Sequence, residues 1–136
     1  MTVARAIETL CPGFPFIYLG DIARSPYGSK SPSTITEYSH RNTDFLLRQG
    51  AKLIVIACNS AASTASTFLR NHYSHTIIDV IQPAVAKAAS VSASGNIGVI
   101  GTRATINSGL YDQHLHHARP ACTVYSQACP LLVPLV

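Results

Sequence analysis

Two kinds of stretch succeed one another along this chain, short apolar runs and longer segments in which apolar positions recur at helical spacing, and their alternation predicts an α/β fold. Val3 to Leu10 suits a helix that stops at Cys11-Pro12-Gly13, and Phe16-Ile17-Tyr18-Leu19 reads as a strand running into Gly20-Asp21. A polar loop follows from Asp21 to Ser31. Pro32 fits a first helical turn, and Ile35, Tyr38, Phe45 and Leu46 keep roughly helical spacing until Gly50 supplies a stop. Leu53 to Ala57 is apolar and rich in β-branched residues, the mark of a buried parallel strand. A helix over Ser60 to Asn71, a strand at Thr76 to Ile81 and an Ala-rich helix from Pro83 to Ala89 complete the first series.

At Ser90-Val91-Ser92-Ala93-Ser94-Gly95 the chain turns small and polar, as a linker would, and the alternation restarts. A strand at Ile97 to Thr102, a helix from about Thr105 to Ala118 and a strand at Cys122 to Ser126 follow, before the apolar stretch Cys129 to Val136. The expectation is an open parallel sheet with helices on both faces, residues 1–93 forming one unit and 94–136 the start of another.

Composition narrows the setting. With 136 residues, 47% of them hydrophobic, the chain can bury the core of one ordinary domain. No stretch reaches the ~20 apolar residues of a membrane span, and Met1-Thr2-Val3-Ala4-Arg5 lacks the long apolar region of a signal peptide, so the expected location is cytoplasmic with no membrane contact. Cys11, Cys58, Cys122 and Cys129 contain no CxxC pair, which favours reduced thiols. The net charge of +4 comes from scattered residues without a basic stripe, and no nucleic-acid partner is expected.

Candidate chemistry concentrates at the ends of the strands. Cys58 closes the apolar run Leu53 to Ala57 and opens the run Asn59-Ser60-Ala61-Ala62, which puts its thiol at a strand-to-helix turn. Ligands of open α/β sheets bind beyond the carboxyl ends of the strands, and a helix N-terminus favours negative charge, so a thiolate nucleophile or base is at home there. A buried packing role is the competing reading, since free cysteine is among the most buried residue types. Asn59 and Ser60 offer donors to a small carboxylate, although Ser60 is equally explained as the N-cap of the next helix. Two further loops follow strands: Gly20 to Gly28, with Pro26, Tyr27 and Gly28 at its end, and Gly101 to Thr105, with hydroxyls on Thr102 and Thr105. Taken singly, the first is a tight turn and the second a cap; in a parallel sheet all three loops meet at one edge.

Other motifs fail. Gly95, Gly98 and Gly101 are spaced GxxGxxG, which is not the dinucleotide fingerprint, and Gly28-Ser29-Lys30-Ser31 is similar to the tail of a P-loop without its Gly-Lys-Ser/Thr adjacency. His114, His116 and His117 have no accompanying ligand pattern and read as a solvated cluster, so no metal is expected. A phosphatase loop would need arginine six residues after Cys58, where Thr64 stands.

Four ordered segments carry a family resemblance: Gly20-Asp21-Ile22-Ala23-Arg24-Ser25-Pro26-Tyr27-Gly28-Ser29-Lys30-Ser31, Val55-Ile56-Ala57-Cys58-Asn59-Ser60-Ala61-Ala62, Ile97-Gly98-Val99-Ile100-Gly101-Thr102-Arg103-Ala104-Thr105-Ile106, and Cys129-Pro130-Leu131-Leu132-Val133-Pro134-Leu135. In this order they resemble the glutamate racemases, over nearly the whole chain. The resemblance implies cofactor-independent inversion of glutamate at its α-carbon, supplying D-glutamate for peptidoglycan, by two cysteines that act on opposite faces of the substrate. A thiolate can take a proton and a thiol can return one near neutral pH. Cys58 matches one of the pair. Asn59 and Ser60 match substrate-holding residues, with serine where threonine is usual; Pro26, Tyr27 and Gly28 match a second binding segment, and Thr102 and Thr105 a third.

The departures are as informative. The family's opening strand, ending Asp-Ser-Gly, is not in this sequence, and neither is the downstream Gly-Cys-Thr-His that carries the second cysteine; Cys122 and Cys129 do not match it. The resemblance therefore implies two pseudo-symmetric α/β halves, the first lacking its opening strand and the second incomplete, hence a truncated racemase that is inactive by itself. Two alternatives remain, an aspartate or other amino-acid racemase of the same group and a non-catalytic carboxylate-binding remnant. Pairing of two copies as a homodimer is also left open.

Overall fold

A computed structural model describes residues 2–135; Met1 and Val136, which end two of the expected ranges, lie outside it. Helix α1 (Thr2–Leu10) is amphipathic but buries none of its residues. After an extended stretch and one short 3-10 turn at Ile22–Arg24, α2 (Pro32–Arg48) begins with Ser31 as N-cap, whose hydroxyl accepts from the Thr34 amide at 3.2 Å. Strand β1 (Leu53–Ile56), α3 (Asn59–His72), β2 (Thr76–Asp79) and α4 (Ile81–Val91) follow. The chain continues through β3 (Asn96–Gly101), α5 (Arg103–Asn107), α6 (Leu110–Ala118), β4 (Thr123–Ala128) and a 3-10 turn at Pro130–Leu135.

The strands pair in parallel, as expected of an α/β chain. β1 runs beside β2 with Leu53 opposite Thr76 and Ile56 opposite Asp79, while β3 runs beside β4 from Asn96 opposite Thr123 to Gly101 opposite Ala128. One core joins the layers. Ile54 and Ile56 of β1 and Ile77 of β2 meet Ile35 of α2, Ala65 and Leu69 of α3, and Ile81 and Val85 of α4, with Ile97, Leu115 and Cys122 continuing it. Each fully buried leucine or isoleucine contributes about 2 kcal/mol of transfer free energy. The small residues Ala61, Ala62 and Ala65 let α3 lie close to its neighbours, which is why the sequence turns small just after Cys58.

Three expectations need correction. Phe16 to Leu19 forms no strand: no ladder reaches it among the described residues, and its side chains are exposed. A β-conformation is held by hydrogen bonds to a neighbour, and without one its apolar composition alone does not make a strand. The single helix expected from Thr105 to Ala118 is two helices, because Gly109 takes φ 66°, a left-handed conformation that ends α5 and starts α6 at a new angle. The linker expected from Ser90 begins later, as α4 runs on to Val91 and its last turn is closed by the Ser92 amide donating to the Ala88 carbonyl at 3.1 Å. No helix among the described residues is long and apolar enough to cross a membrane.

Candidate functional site

Cys58 ends the β1 segment in extended conformation (φ −102°, ψ 119°) and is itself the N-cap residue of α3, with its thiol exposed. The packing reading of Cys58 therefore fails. So does the reading of Ser60 as the cap: it lies in the first helical turn, buried, with its hydroxyl turned to another loop. Ser60 Oγ is 2.8 Å from Thr102 Oγ1, 42 residues away in sequence. Thr102 is the N-cap of α5, accepting from the Thr105 amide at 3.3 Å, and its Oγ1 is also 3.1 Å from Thr105 Oγ1. Three hydroxyls thus form one continuous chain.

The third loop closes on the same point. The Gly28 carbonyl accepts from the Ala104 amide at 3.1 Å, and Gly28 is buried against Thr102. A Cβ at position 28 would stand 2.4 Å from Thr102 Cβ, so the approach requires glycine. The Cys129 amide donates to the Gly101 carbonyl at 2.8 Å, which brings the fourth sequence segment to the end of β3. Pro26 is exposed beside Gly28, and both line a cleft of about 530 Å³ with Thr102, Arg103, Pro130 and Val133. A second cleft, of about 440 Å³, is lined by Asn59, Thr102, Thr105 and Tyr111 over an apolar floor that includes Val85 and Leu115. Thr102 is the wall the two share; Cys58 lines neither.

Tyr27 is held by a network the sequence does not announce. Its hydroxyl donates to Asp21 Oδ2, Arg24 Nε donates to Asp21 Oδ1 at 2.9 Å, and Asn42 Nδ2 reaches the Tyr27 hydroxyl at 3.2 Å and Asp21 Oδ2 at 3.3 Å. Burial and then the bond to Asp21 push the Tyr27 phenol up to about 12, which keeps it a donor. Burial alone would raise the Asp21 carboxyl, but the bonds from Tyr27, Arg24 and Asn42 outweigh it and hold Asp21 below the ordinary carboxylate value. Arg24 also packs over the Tyr38 ring at 4.7 Å. Asn42, on α2, had no sequence signal, because its partners lie 15 and 21 residues away.

Tyr111 is the second residue that sequence reasoning missed. Its hydroxyl donates to Asn59 Oδ1 at 2.7 Å, which leaves the Asn59 NH₂ as the free, donating end of that amide. Burial and the Asp79 charge raise the Tyr111 phenol, so it too remains a donor. The turn at Gly109 is what delivers Tyr111 to Asn59. Of the remaining thiols, Cys11 is exposed, Cys122 buried and Cys129 half-buried. An exposed thiol directly preceding an oriented amide and a fixed hydroxyl in the chain can move a proton on a small polar molecule that reaches them together.

Comparison with known proteins gives the same setting. Residues 1–133 match the family model described as Asp/Glu/Hydantoin racemase. The chain is 46% identical over 136 residues to a glutamate racemase of Aquifex aeolicus, covering 53% of that protein, and 43% identical to one of Geobacter metallireducens, covering 50%. Its fold is similar to the crystal structure of glutamate racemase isoform RacE1 from Bacillus anthracis, with a TM-score of 0.95 at 37% identity over 99% of this chain and 51% of that one. A glutamate racemase of Francisella tularensis in complex with D-glutamate gives a TM-score of 0.90 at 36% identity over 98% of this chain and 50% of that one. The chain spans about half the length of the curated relatives it matches. With the family model matched from residue 1 to 133 and the parallel α/β fold shared, this chain belongs to the Asp/Glu/Hydantoin racemase family.

Proposed function

We propose that this chain supplies one face of a cofactor-independent glutamate racemase site, with Cys58 moving the α-proton on that face. The observation that carries the reading is the hydrogen-bonded chain of the Ser60, Thr102 and Thr105 hydroxyls, with Gly28 packed against Thr102, which begins two residues after the exposed Cys58. The names of the relatives, and the D-glutamate in the Francisella structure, support glutamate as the substrate class. Asn59, with the Tyr27 and Gly28 amides beside Pro26 and the hydroxyls of Ser60, Thr102 and Thr105, would hold the carboxylates and ammonium of the amino acid. D-Glutamate made in the cytoplasm would feed peptidoglycan synthesis.

Inversion needs a proton taken from one face of the α-carbon and another returned to the opposite face. A Cys58 thiolate accepting the α-proton becomes a thiol and leaves a carbanion; its capture from the other side needs a second donor. Cys122 is buried in the core, Cys129 belongs to another segment, and Cys11, though exposed, follows α1 and lines neither cleft, so none of the three serves. The 136-residue chain is therefore expected to bind glutamate without interconverting its enantiomers. Chiral chromatography after incubation with L- or D-glutamate, with aspartate run in parallel, measures the reaction; amide NMR shifts at Asn59 and Thr102 measure binding. Turnover that disappears in Cys58→Ala would overturn the one-face reading, and unchanged spectra at saturating glutamate would overturn the substrate assignment.

A further inference from the structure

The loop that carries Pro26, Tyr27 and Gly28 is closed on itself by a side-chain bond. The Tyr27 hydroxyl donates to Asp21 Oδ2, so two residues six positions apart meet, and Arg24 between them sets its Nε 2.8 and 2.9 Å from the two Asp21 oxygens. The Asp21 side chain is only 12% exposed. One face of α2 receives the closed loop. Asn42 Oδ1 accepts from Arg24 Nη2 at 2.7 Å while its Nδ2 reaches the Tyr27 hydroxyl and Asp21 Oδ2, which fixes the amide one way round and satisfies both its ends. One helical turn earlier, Tyr38 lies with its ring centroid 5.9 Å from that of Tyr27 and carries the Arg24 guanidinium over its face.

The far end of the loop is fastened to α5, where the Ala104 amide donates to the Gly28 carbonyl and Thr102 packs against Gly28. Between these two anchors the Tyr27 and Gly28 amides donate to no other backbone group among the described residues, although Gly28 is buried. Buried amides are rarely left without a partner, so this pair points to a ligand. The Tyr27 phenol has one hydrogen and gives it to Asp21, so it is not the group that meets that ligand. We infer that Asp21 and Asn42 are positioning residues of this loop, holding the Tyr27 side chain on α2 so that the Tyr27 and Gly28 amides stand beside Thr102 to receive a carboxylate; the assignment rests on the amino-acid binding proposed above. Tyr27 then serves the ligand through its backbone, and α2, which lines neither cleft, takes part in binding through Tyr27. A neutral group in place of the Asp21 carboxylate weakens its bonds from Tyr27, Arg24 and Asn42 together, since hydrogen bonds to a charged acceptor are the stronger kind.

The test compares Asp21→Asn, Tyr27→Phe and Asn42→Leu with Tyr73→Phe, which removes a similar phenol-to-carboxylate bond, Tyr73 to Asp44 at 2.6 Å, from the contact of α3 with α2. In the 136-residue chain the three loop variants should shift or broaden the Tyr27 and Gly28 amide NMR signals before any ligand is added, and should bind glutamate about tenfold more weakly; Tyr73→Phe should do neither. Ring NMR of Tyr27 adds a signature that lost stability alone does not produce: its phenol, at about 12 in the unaltered chain, should fall toward the ordinary 10.0 in Asp21→Asn. Unaltered amide signals and affinity in Asp21→Asn and Tyr27→Phe, or the same loss of affinity in Tyr73→Phe, would overturn the positioning role. Failure of the unaltered chain to bind glutamate would overturn the substrate reading instead, and the amide signals and Tyr27 titration of the ligand-free chain would still decide whether Asp21 and Asn42 hold the loop.

Discussion

The amide of Asn59 can face a ligand either way round, and the Tyr111 hydroxyl on its Oδ1 at 2.7 Å makes the choice, leaving NH₂ donors for a carboxylate. Tyr111→Phe should keep the fold and lose that orientation. One hydrogen bond is worth about 1 kcal/mol, so glutamate should bind about fivefold more weakly to the variant, measured by NMR or calorimetric titration. Equal affinity would show that Asn59 is oriented by other means or does not touch the ligand. At the same scale Cys58 is legible in sequence, since an apolar strand followed by small residues needs no distant partner to define it. Asn42 and Tyr111 were not legible, because their value lies in partners supplied by other elements.

At the scale of elements, the junction of β2 and α4 rests on one buried carboxylate. Asp79 accepts from the Ile81 amide at 2.9 Å and from Arg70, whose Nε also donates to the Ile77 carbonyl at 3.1 Å. Burial raises the Asp79 carboxyl, but these bonds outweigh it and hold it below its ordinary value of 3.8. A depressed folded value means that the stabilisation is present in full above about pH 4 and is lost as the pH falls through the lowered value. Asp79→Asn should cost about 2 kcal/mol near neutral pH and flatten the acid limb of a pH–Tm profile. An unchanged acid limb would place the acid sensitivity elsewhere. Helix ends that carry their own stop signals are legible in the sequence, α2 ending beside Gly50 and α1 before Pro12. Gly109 is not legible as a break, because a lone glycine inside a helical pattern does not announce whether it bends, breaks or caps.

For the whole molecule, the apolar surface sets the behaviour. Phe14 is 78% exposed, Ile22 87%, Ile100 69% and Leu131 74%, and α1 buries nothing, so large side chains stand in water on several faces. Apolar surface of this extent favours association. The 136-residue chain should self-associate with rising concentration, measured by light scattering on a sizing column; a monodisperse monomer throughout would contradict this. The alternation of apolar runs and helical spacing determined the α/β class and parallel pairing, because continuous apolar runs, a period of 3.6 residues and their order along the chain are all contained in local windows. It also located Cys58, Asn59, Ser60 and Thr102 at strand ends, whereas the Tyr27-Gly28 turn follows no strand among the described residues. Only the tertiary structure decided that Phe16 to Leu19 goes unpaired, that Ser60 binds Thr102 instead of capping its helix, and that Tyr111 and Asn42 belong with the site. Each of those depends on which groups lie across space to receive a hydrogen bond, and a sequence window contains only the groups that are near along the chain.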